Sequence, residues 1–307
     1  MMVFLNARAS YGRAKALWER VRPELERRVG ELRVVAIESP ESATEALRGA
    51  VADGERVFVA AGGDGTVNLL VNAAMALGAE ENVTIGAIGL GSSNDFHKPQ
   101  EDRVRIAGVP SRIRCEESRL QDVIRIDYDD GAGGGGTRFA IANASLGITA
   151  EANACFNAPT PLVRAARKVS VNAAIVASVL VTLSRYTDID CRLRIDGEDL
   201  GEFPVSNLGV VKSPHFAGSF CYDTLVGHDD GRLGVHLCER LTSLEALATL
   251  AALSRRRFGG RPKTRSWTAK RVEVEGDRVF ALETDGEILR ARSAEFTVDE
   301  RKLRCCV

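Results

Sequence analysis

Asp64 stands inside a run of small residues, Gly62-Gly63-Asp64-Gly65-Thr66-Val67-Asn68, directly after the apolar stretch Val57-Phe58-Val59-Ala60-Ala61. A carboxylate among glycines, with a hydroxyl and an amide just beyond it, can hold a phosphate and its counter-ion. Free N–H groups at a helix start favour anions. A tight strand-to-helix turn uses the same glycines for backbone reasons alone. A second small-residue loop, Gly89-Leu90-Gly91-Ser92-Ser93-Asn94-Asp95-Phe96, again carries one carboxylate, Asp95. Taken alone it reads as an Asx-type turn capping a short helix at Asn94. Two such loops on one rim make a cradle for polyphosphate and Mg²⁺. That ion prefers one or two carboxylates plus phosphate oxygens and water.

The elements around these loops place both on the same rim. Val3-Phe4-Leu5, Val34 to Ile37, Val57 to Ala61 and Thr84 to Ile88 read as short strands. Ala14 to Val29 carries Leu17, Val21, Leu25 and Val29 at four-residue spacing, the period of an amphipathic helix. Ser42, with Glu45 three residues on, reads as the cap of a second helix. A third helix follows the Gly62 turn and ends at Gly78. Strand–helix alternation with short loops predicts a parallel sheet between helix layers, with ligands at the carboxyl ends of its strands. Asn6, Ile37 to Ser39, the Gly62 turn and the loop after Ile88 gather there.

After about residue 120 the texture changes. Val123 to Tyr128, Arg138 to Ala142, Cys191 to Ile195, Val205 to Val211, Leu233 to Leu237, Val272 to Val274, Val279 to Leu282 and Glu295 to Val298 read as strands. Two helices are predicted among them, over Leu162 to Leu183 and Ser243 to Leu253. Asp196-Gly197-Glu198 reads as a hairpin turn. The second half is therefore a β-rich antiparallel domain.

Composition narrows the classes. The chain has 307 residues, 45% hydrophobic and 27% charged, with a net charge of −1. It reads as a two-domain globular protein with no overall bias toward nucleic acid. Seven cysteines without a CxxC pair suggest reduced thiols and argue against a disulfide framework. No export signal is read at Met1 to Leu5. The longest apolar run, Ala173 to Leu183, is short of the ~20 residues a spanning helix needs. Any membrane contact is expected to be peripheral. From Ala246 to Val272 there are eight basic residues, Arg255 to Arg271, and no acidic one. Phe258 and Trp267 are interleaved. A solvated loop explains this stretch, and so does an anionic partner such as a membrane surface.

Three motifs occur in order: Gly62 to Asn68, Leu90 to Phe96, and Thr284-Asp285-Gly286-Glu287. Together they resemble the diacylglycerol kinase catalytic family, the bacterial lipid kinases related to sphingosine and ceramide kinases. The resemblance covers essentially the whole chain. It implies an α/β nucleotide-binding domain of NAD kinase/diacylglycerol kinase type over residues 1–120, and a β-rich lipid-substrate domain over 121–294. Residues from about 295 to 307 return to the first domain. The resemblance also implies that Asn6, Ser10 and Gly12, the Gly62-Gly63-Asp64-Gly65-Thr66-Val67-Asn68 turn, and Gly91, Ser92 and Asn94 hold ATP. Asp64 and Asp95 would bind Mg²⁺. Asp285 or Glu287 would act as base, Glu287 having the longer reach. Asp230, in His228-Asp229-Asp230-Gly231, matches a structural metal site of the family, and a plain turn explains it equally.

This sequence departs from the family pattern in three places. The Asn6 to Gly12 loop has Ala7 where Pro is common, and Gly is delayed to Gly12. Ser93 adds bulk in the second loop. A Thr common after the second strand is absent, with Ile37 or Glu38 in its place. These changes touch the nucleotide side and leave the carboxylates intact. The resemblance implies an ATP- and Mg-dependent lipid kinase acting on a diacylglycerol-like or sphingoid hydroxyl. Such a protein would be cytoplasmic and peripheral to the inner face of the membrane, with no nucleic-acid partner; a homodimer is left open. The alternatives are a kinase of a soluble substrate such as NAD, and a nucleotide-binding regulator with weakened catalysis.

Overall fold

Four short strands line up in parallel at the N-terminal end: β1 (Met2–Leu5), β2 (Arg33–Ala36), β3 (Val57–Gly62) and β4 (Thr84–Gly89), in the order β2-β1-β3-β4. We describe them from a computed structural model that covers residues 1–98, 104–223 and 226–307. Helices α1 (Arg13–Val29), α2 (Pro40–Ala52) and α3 (Asp64–Ala76) alternate with the strands. Strands β1, β3 and β4 are near-continuous apolar runs because both faces are covered, while the edge strand β2 is only partly buried. Trp18, Val21 and Leu25 of α1 pack with Val3, Val59 and Ile88 on one face. Leu70, Val71 and Ala74 of α3 pack with Phe4, Phe58 and Ile85 on the other.

The α2 cap lies one turn earlier than the sequence pattern suggests. Ser39 is the N-cap, Pro40 takes the first turn, and Ser42 closes the capping box. Proline is suited to that place because its fixed φ matches the helix and its missing N–H is not needed there.

The chain continues through β5 (Val104–Ile106), β6 (Val109–Arg112), β7 (Arg119–Asp129), β8 (Gly135–Ala140) and β9 (Asn143–Gly147). Helices α4 (Ile148–Asn157), α5 (Pro161–Val169) and α6 (Val171–Leu183) follow. The single helix expected over Leu162 to Leu183 is two helices. Ser170, in extended conformation, breaks the run and caps α6. Then come β10 (Ile189–Ile195), β11 (Glu198–Val211), the short ribbon β12 (His215–Phe216) and β13 (Phe220–Cys221), β14 (Leu233–Glu239), α7 (Ser243–Leu253), β15 (Thr264–Ala269), β16 (Arg271–Thr284) and β17 (Glu287–Cys305). Among the described residues, the second half thus holds four helices where two were expected. Its strands alternate as half-buried antiparallel strands do: Ile189, Cys191, Leu193 and Ile195 of β10 face the core while their neighbours face solvent.

One sheet joins the two halves. Its main path runs β15-β14-β11-β10-β16-β17-β4-β3-β1-β2. The joint is β17, antiparallel to β16 along most of its length, whose Arg304 and Cys305 pair with Thr84 and Ile85 of β4. The C-terminus lies alongside residue 114: Arg114 and Val307 exchange backbone hydrogen bonds of 3.0 and 3.2 Å. This brings Cys115 to Cys306, and the two form a disulfide. The expectation of reduced thiols is corrected for this pair. Short-range spacing carries no information about cysteines 191 positions apart that meet only through the sheet. Cys155, Cys191, Cys221, Cys238 and Cys305 are free thiols.

Candidate active site

The two small-residue loops meet glycine to glycine. A Cβ on Gly91 would lie 2.4 Å from the Gly63 Cα, so neither loop could approach the other with a side chain there. A Cβ on Gly62 would collide with the Thr66 side chain. Its absence leaves room for the Thr66 hydroxyl, which accepts from Asn6 Nδ2 at 3.3 Å. The Ser10 hydroxyl donates to the Leu90 carbonyl at 2.9 Å and ties the Asn6–Gly12 loop to the second small-residue loop. Asn94, in left-handed conformation, accepts from the Gly91 N–H and donates to the Gly89 and Gly91 carbonyls. Its amide is spent on the loop itself.

Asp64 opens α3 and is held by the Phe96 N–H, which donates to it at 3.0 Å. Burial, followed by the Asp95 charge, pushes its carboxyl up to about 7. Asp95 is buried and accepts from Lys98 Nζ and from the Gly218 N–H. Asp64 and Asp95 form a crowded carboxylate pair that fits Mg²⁺, with Lys98 already sharing Asp95. Among the described residues, no three His, Cys, Asp or Glu side chains form a metal cage. An ion here would therefore take its remaining ligands from a phosphate and water.

The third motif approaches from the β-rich half. Asp285 and Gly286, both at positive φ, form the two-residue turn between β16 and β17. Asp285 is buried and saturated. It accepts from the N–H groups of Ile141 (2.7 Å), Ala142 (3.0 Å) and Asn143 (2.9 Å) and from Asn68 Nδ2 (3.1 Å). Burial raises its carboxyl, and those donors pull against the rise. Glu287 reaches further: its Oε1 lies 2.7 Å from where a Cβ on Gly65 would stand. The carboxyl thus rests over the first loop. The cleft walls desolvate and raise it, but the residue as a whole is solvent-exposed, which limits that rise.

These groups border one cavity of about 380 Å³. Its polar lining includes Asn6, Ser10, Gly63 to Thr66, Gly91, Ser92, Asp95, Asp285 and Glu287. Its apolar lining includes Phe156, Ile175, Val179, Val211, Phe216 and Leu250, with Asn153 and Ser178 among them. Gly12, Gly62, Asn68, Asn94 and Asp230 do not line it. Gly12 caps α1 at positive φ. Asn68 faces the second half, donating to the Phe139 carbonyl and to Asp285. It joins the halves and does not point at the cavity.

Asp230 does not fit a metal. Lys212 Nζ already sits 2.8 Å from Asp230 Oδ1, from Asp122 Oδ2 and from the Arg232 carbonyl. All three ammonium donors are thereby used. Lys212 and Asp122 have fully buried side chains, and Lys302 pairs with the other Asp122 oxygen at 2.9 Å. Burial works against the Asp122 charge, but Lys212 and Lys302 hold its carboxyl below the ordinary range.

Two buried charges, one of them in the site, are not signalled by the motifs. Lys212 ends the apolar strand run Leu208-Gly209-Val210-Val211. Glu283 ends Val279-Phe280-Ala281-Leu282. A charge closing a buried strand is the signal in both cases. Glu283 lines the cavity, accepts from Ser145 Oγ at 2.9 Å and from the Gly286 N–H, and is pushed up to about 8 by burial.

The basic stretch is not one patch. Lys263 pairs with Glu245, Arg265 with Glu239, and Arg271 with Glu273 and Glu295. Phe258 is wholly buried against Tyr222 and His236, and Trp267 packs on the β-rich core. Their interleaving with cations follows from strand and core placement.

Comparisons with known proteins agree with this architecture. A crystal structure of a diacylglycerol kinase from Bacillus anthracis superposes with a TM-score of 0.65 at 16% identity, covering 99% of this chain and 95% of that one. The "Probable lipid kinase YegS-like" of Xanthomonas campestris is 28% identical over 257 residues, 78% of this chain and 74% of its own length. The protein of the same name in Stenotrophomonas maltophilia is 26% identical over 268 residues, 79% and 76% of the two chains. Residues 1–126 match the diacylglycerol kinase catalytic domain, and residues 142–307 match the YegS C-terminal NAD kinase beta sandwich-like domain. With both domains matched in order, the chain belongs to the diacylglycerol kinase catalytic-domain family of kinases, in its YegS-type two-domain form.

Proposed function

We propose that this chain is an ATP- and Mg²⁺-dependent lipid kinase that phosphorylates a hydroxyl of a diacylglycerol-like or sphingoid lipid. The observation that carries this reading is the mixed lining of one cavity. Backbone amides, hydroxyls and carboxylates of the loops line the same space as large apolar side chains of α4, α6 and α7. A soluble, highly polar acceptor such as NAD has no use for that apolar lining, whereas an acyl chain does. Residues 1–120 are read as the nucleotide half and 121–294 as the lipid half, with the last strand returning to the first.

Phosphoryl transfer needs positioning, charge neutralisation and a group to take the hydroxyl proton. Asn6, Ser10, Gly63, Gly65, Thr66, Gly91 and Ser92 offer the donors around the polar rim. Asp64 and Asp95 would hold Mg²⁺, which when bound neutralises charge on the phosphates. Glu287 would accept the lipid hydroxyl proton, because it is the carboxylate that hangs over the first loop with acceptor capacity left. Asp285 has none to spare and would position the turn.

The test is incubation of purified protein with γ-labelled ATP, Mg²⁺ and a panel of lipids in mixed micelles. Label in a lipid phosphate is expected. ATP binding without label in any lipid would overturn the acceptor assignment and favour a nucleotide-binding regulator. Label in NAD alone would favour the soluble-substrate reading.

A further inference from the structure

Ordinary surface helices turn polar residues outward and apolar residues inward. Helix α6 does the reverse. Ser178 (1% exposed) and Thr182 (7%) are buried, while Val176 (58%) and Leu180 (49%) face out. Its remaining sides are occupied. Ile175 and Val179 line the cavity, and Ala174 and Ala177 pack with Val163 of α5. Helix α7 repeats the inversion, with Thr249 buried and Leu244 exposed. The two helices adjoin: Ser243 Oγ at the start of α7 donates to the Leu183 carbonyl at the end of α6. Leu250 of α7 lines the cavity as well. On α5, which packs against α6, Leu162 and Val169 are exposed as well.

Apart from Glu245 on α7, which Lys263 pairs, the charges on these three helices and just beyond them are positive. No Asp or Glu occurs from Ala152 to Thr187 or from Ala246 to Val272. Arg164 and Lys168 on α5, Arg185 after α6 and Arg255 to Arg257 after α7 are exposed. Among the described residues none of these six makes an ion pair, in contrast to Lys263, Arg265 and Arg271. Apolar side chains ringed by unpaired cations match an anionic lipid leaflet, whose interior takes the leucines and whose headgroups take the cations. A second copy of the chain would bring the same charge and be repelled.

We infer that the outer face of α5, α6 and α7 docks the protein on an anionic bilayer and sets the part of the cavity lined by Ile175, Val179 and Leu250 against the membrane. The inference rests on the lipid reading of the cavity, and moves the membrane contact from the whole Arg255–Arg271 stretch to this helical face. A lipid acceptor would then pass from leaflet to cavity beside Ile175 and Val179 without crossing water.

The test is co-sedimentation with vesicles of phosphatidylglycerol and phosphatidylcholine against vesicles of phosphatidylcholine alone, without nucleotide. The wild-type chain should bind the anionic vesicles and release them at high salt. Each cation near such a leaflet strengthens partitioning by about fivefold. The variant Leu162→Gln/Val176→Gln/Leu180→Gln should lose about tenfold or more in partitioning. It should keep the wild-type melting curve and its activity on a water-soluble short-chain lipid. Val279→Gln, an exposed apolar residue on β16, should change nothing. Wild-type binding that the triple variant retains would overturn the inference. So would a wild-type dimer that the triple variant dissolves, with no vesicle binding. Vesicle binding that behaves as expected, in a protein that phosphorylates no lipid, would uphold the docking face and reject the kinase reading.

Discussion

Asp285 accepts a hydrogen bond of 3.1 Å from Asn68, its partner 217 positions earlier in the chain. The bond joins the first loop's helix to the turn that carries Glu287, so one contact sets the two walls of the cleft against each other. It also separates the roles of two carboxylates. Asp285→Asn would leave an amide facing buried donors, at a cost of about 1–3 kcal/mol. Glu287→Gln removes no such contact. The expected outcome is a lowered melting temperature for Asp285→Asn. Glu287→Gln should keep a wild-type melt while its turnover falls by about 10²–10⁴-fold. Paired melts and initial rates check this.

Gly65 and Gly91 should fail in different ways. A methyl group at Gly65 meets the flexible end of Glu287, which can swing aside. Gly65→Ala should therefore fold and bind nucleotide but lose turnover. A methyl group at Gly91 meets backbone at 2.4 Å and must drive the two loops apart. Gly91→Ala should weaken ATP binding itself, by about tenfold or more. Calorimetric titration of both variants with ATP separates the two outcomes.

Asp64 makes stability and function oppose each other. Burial and Asp95 raise its carboxyl from 3.8 to about 7, so the folded chain holds a proton that the unfolded chain releases near its ordinary value. The stability tied to that proton is complete below the unfolded pKa and is lost as pH rises through about 7. Glu283 acts with the same sign up to about 8. Ligand-free protein should thus melt lower at about pH 8 than at about pH 5 through these two groups. Asp64→Asn should be more stable than wild type at the higher pH by on the order of 2 kcal/mol, and inactive. Thermal melts across that range, with and without Mg²⁺ and ATP, test the sign.

Lys212 is predicted to act as a fixed internal cation. Lys212→Met would leave Asp122 buried with one partner fewer and Asp230 without its ammonium. The expected cost is about 3–5 kcal/mol. A chelator should leave the melting temperature of the nucleotide-free wild type unchanged, because no divalent ion is needed where the ammonium sits. A large chelator effect would contradict that.

The alternation of strands and helices in the first half was legible because each element announces itself within a dozen residues. Val57 to Ala61, the glycine turn and the helix after it are one local pattern. The second half was legible as strands but not as a partner surface. Asp196-Gly197-Glu198 and Asp285-Gly286-Glu287 are the same tripeptide in the same left-handed hairpin turn. At the first, the aspartate accepts from the Lys270 and Arg271 N–H groups on an exposed edge. At the second, it accepts from three buried N–H groups and from Asn68. No local property distinguishes them; only the ordered motifs did. Asn68 shows the converse. Its place at the helix entry suggested phosphate, but its amide is consumed by a carbonyl and a carboxylate brought in from the second half. The Cys115–Cys306 bond and the Lys212 cluster were out of reach for the same reason, since both depend on long-range sheet pairing.

The most direct test of the account is phosphoryl transfer from γ-labelled ATP to a diacylglycerol in Mg²⁺-containing mixed micelles, run side by side for wild type and Glu287→Gln at matched ATP occupancy. The account predicts labelled lipid phosphate from the wild type and a loss of at least about a hundredfold in the variant, with ATP binding unchanged. Equal transfer by the two proteins, or ATP turnover that never labels a lipid, would contradict it.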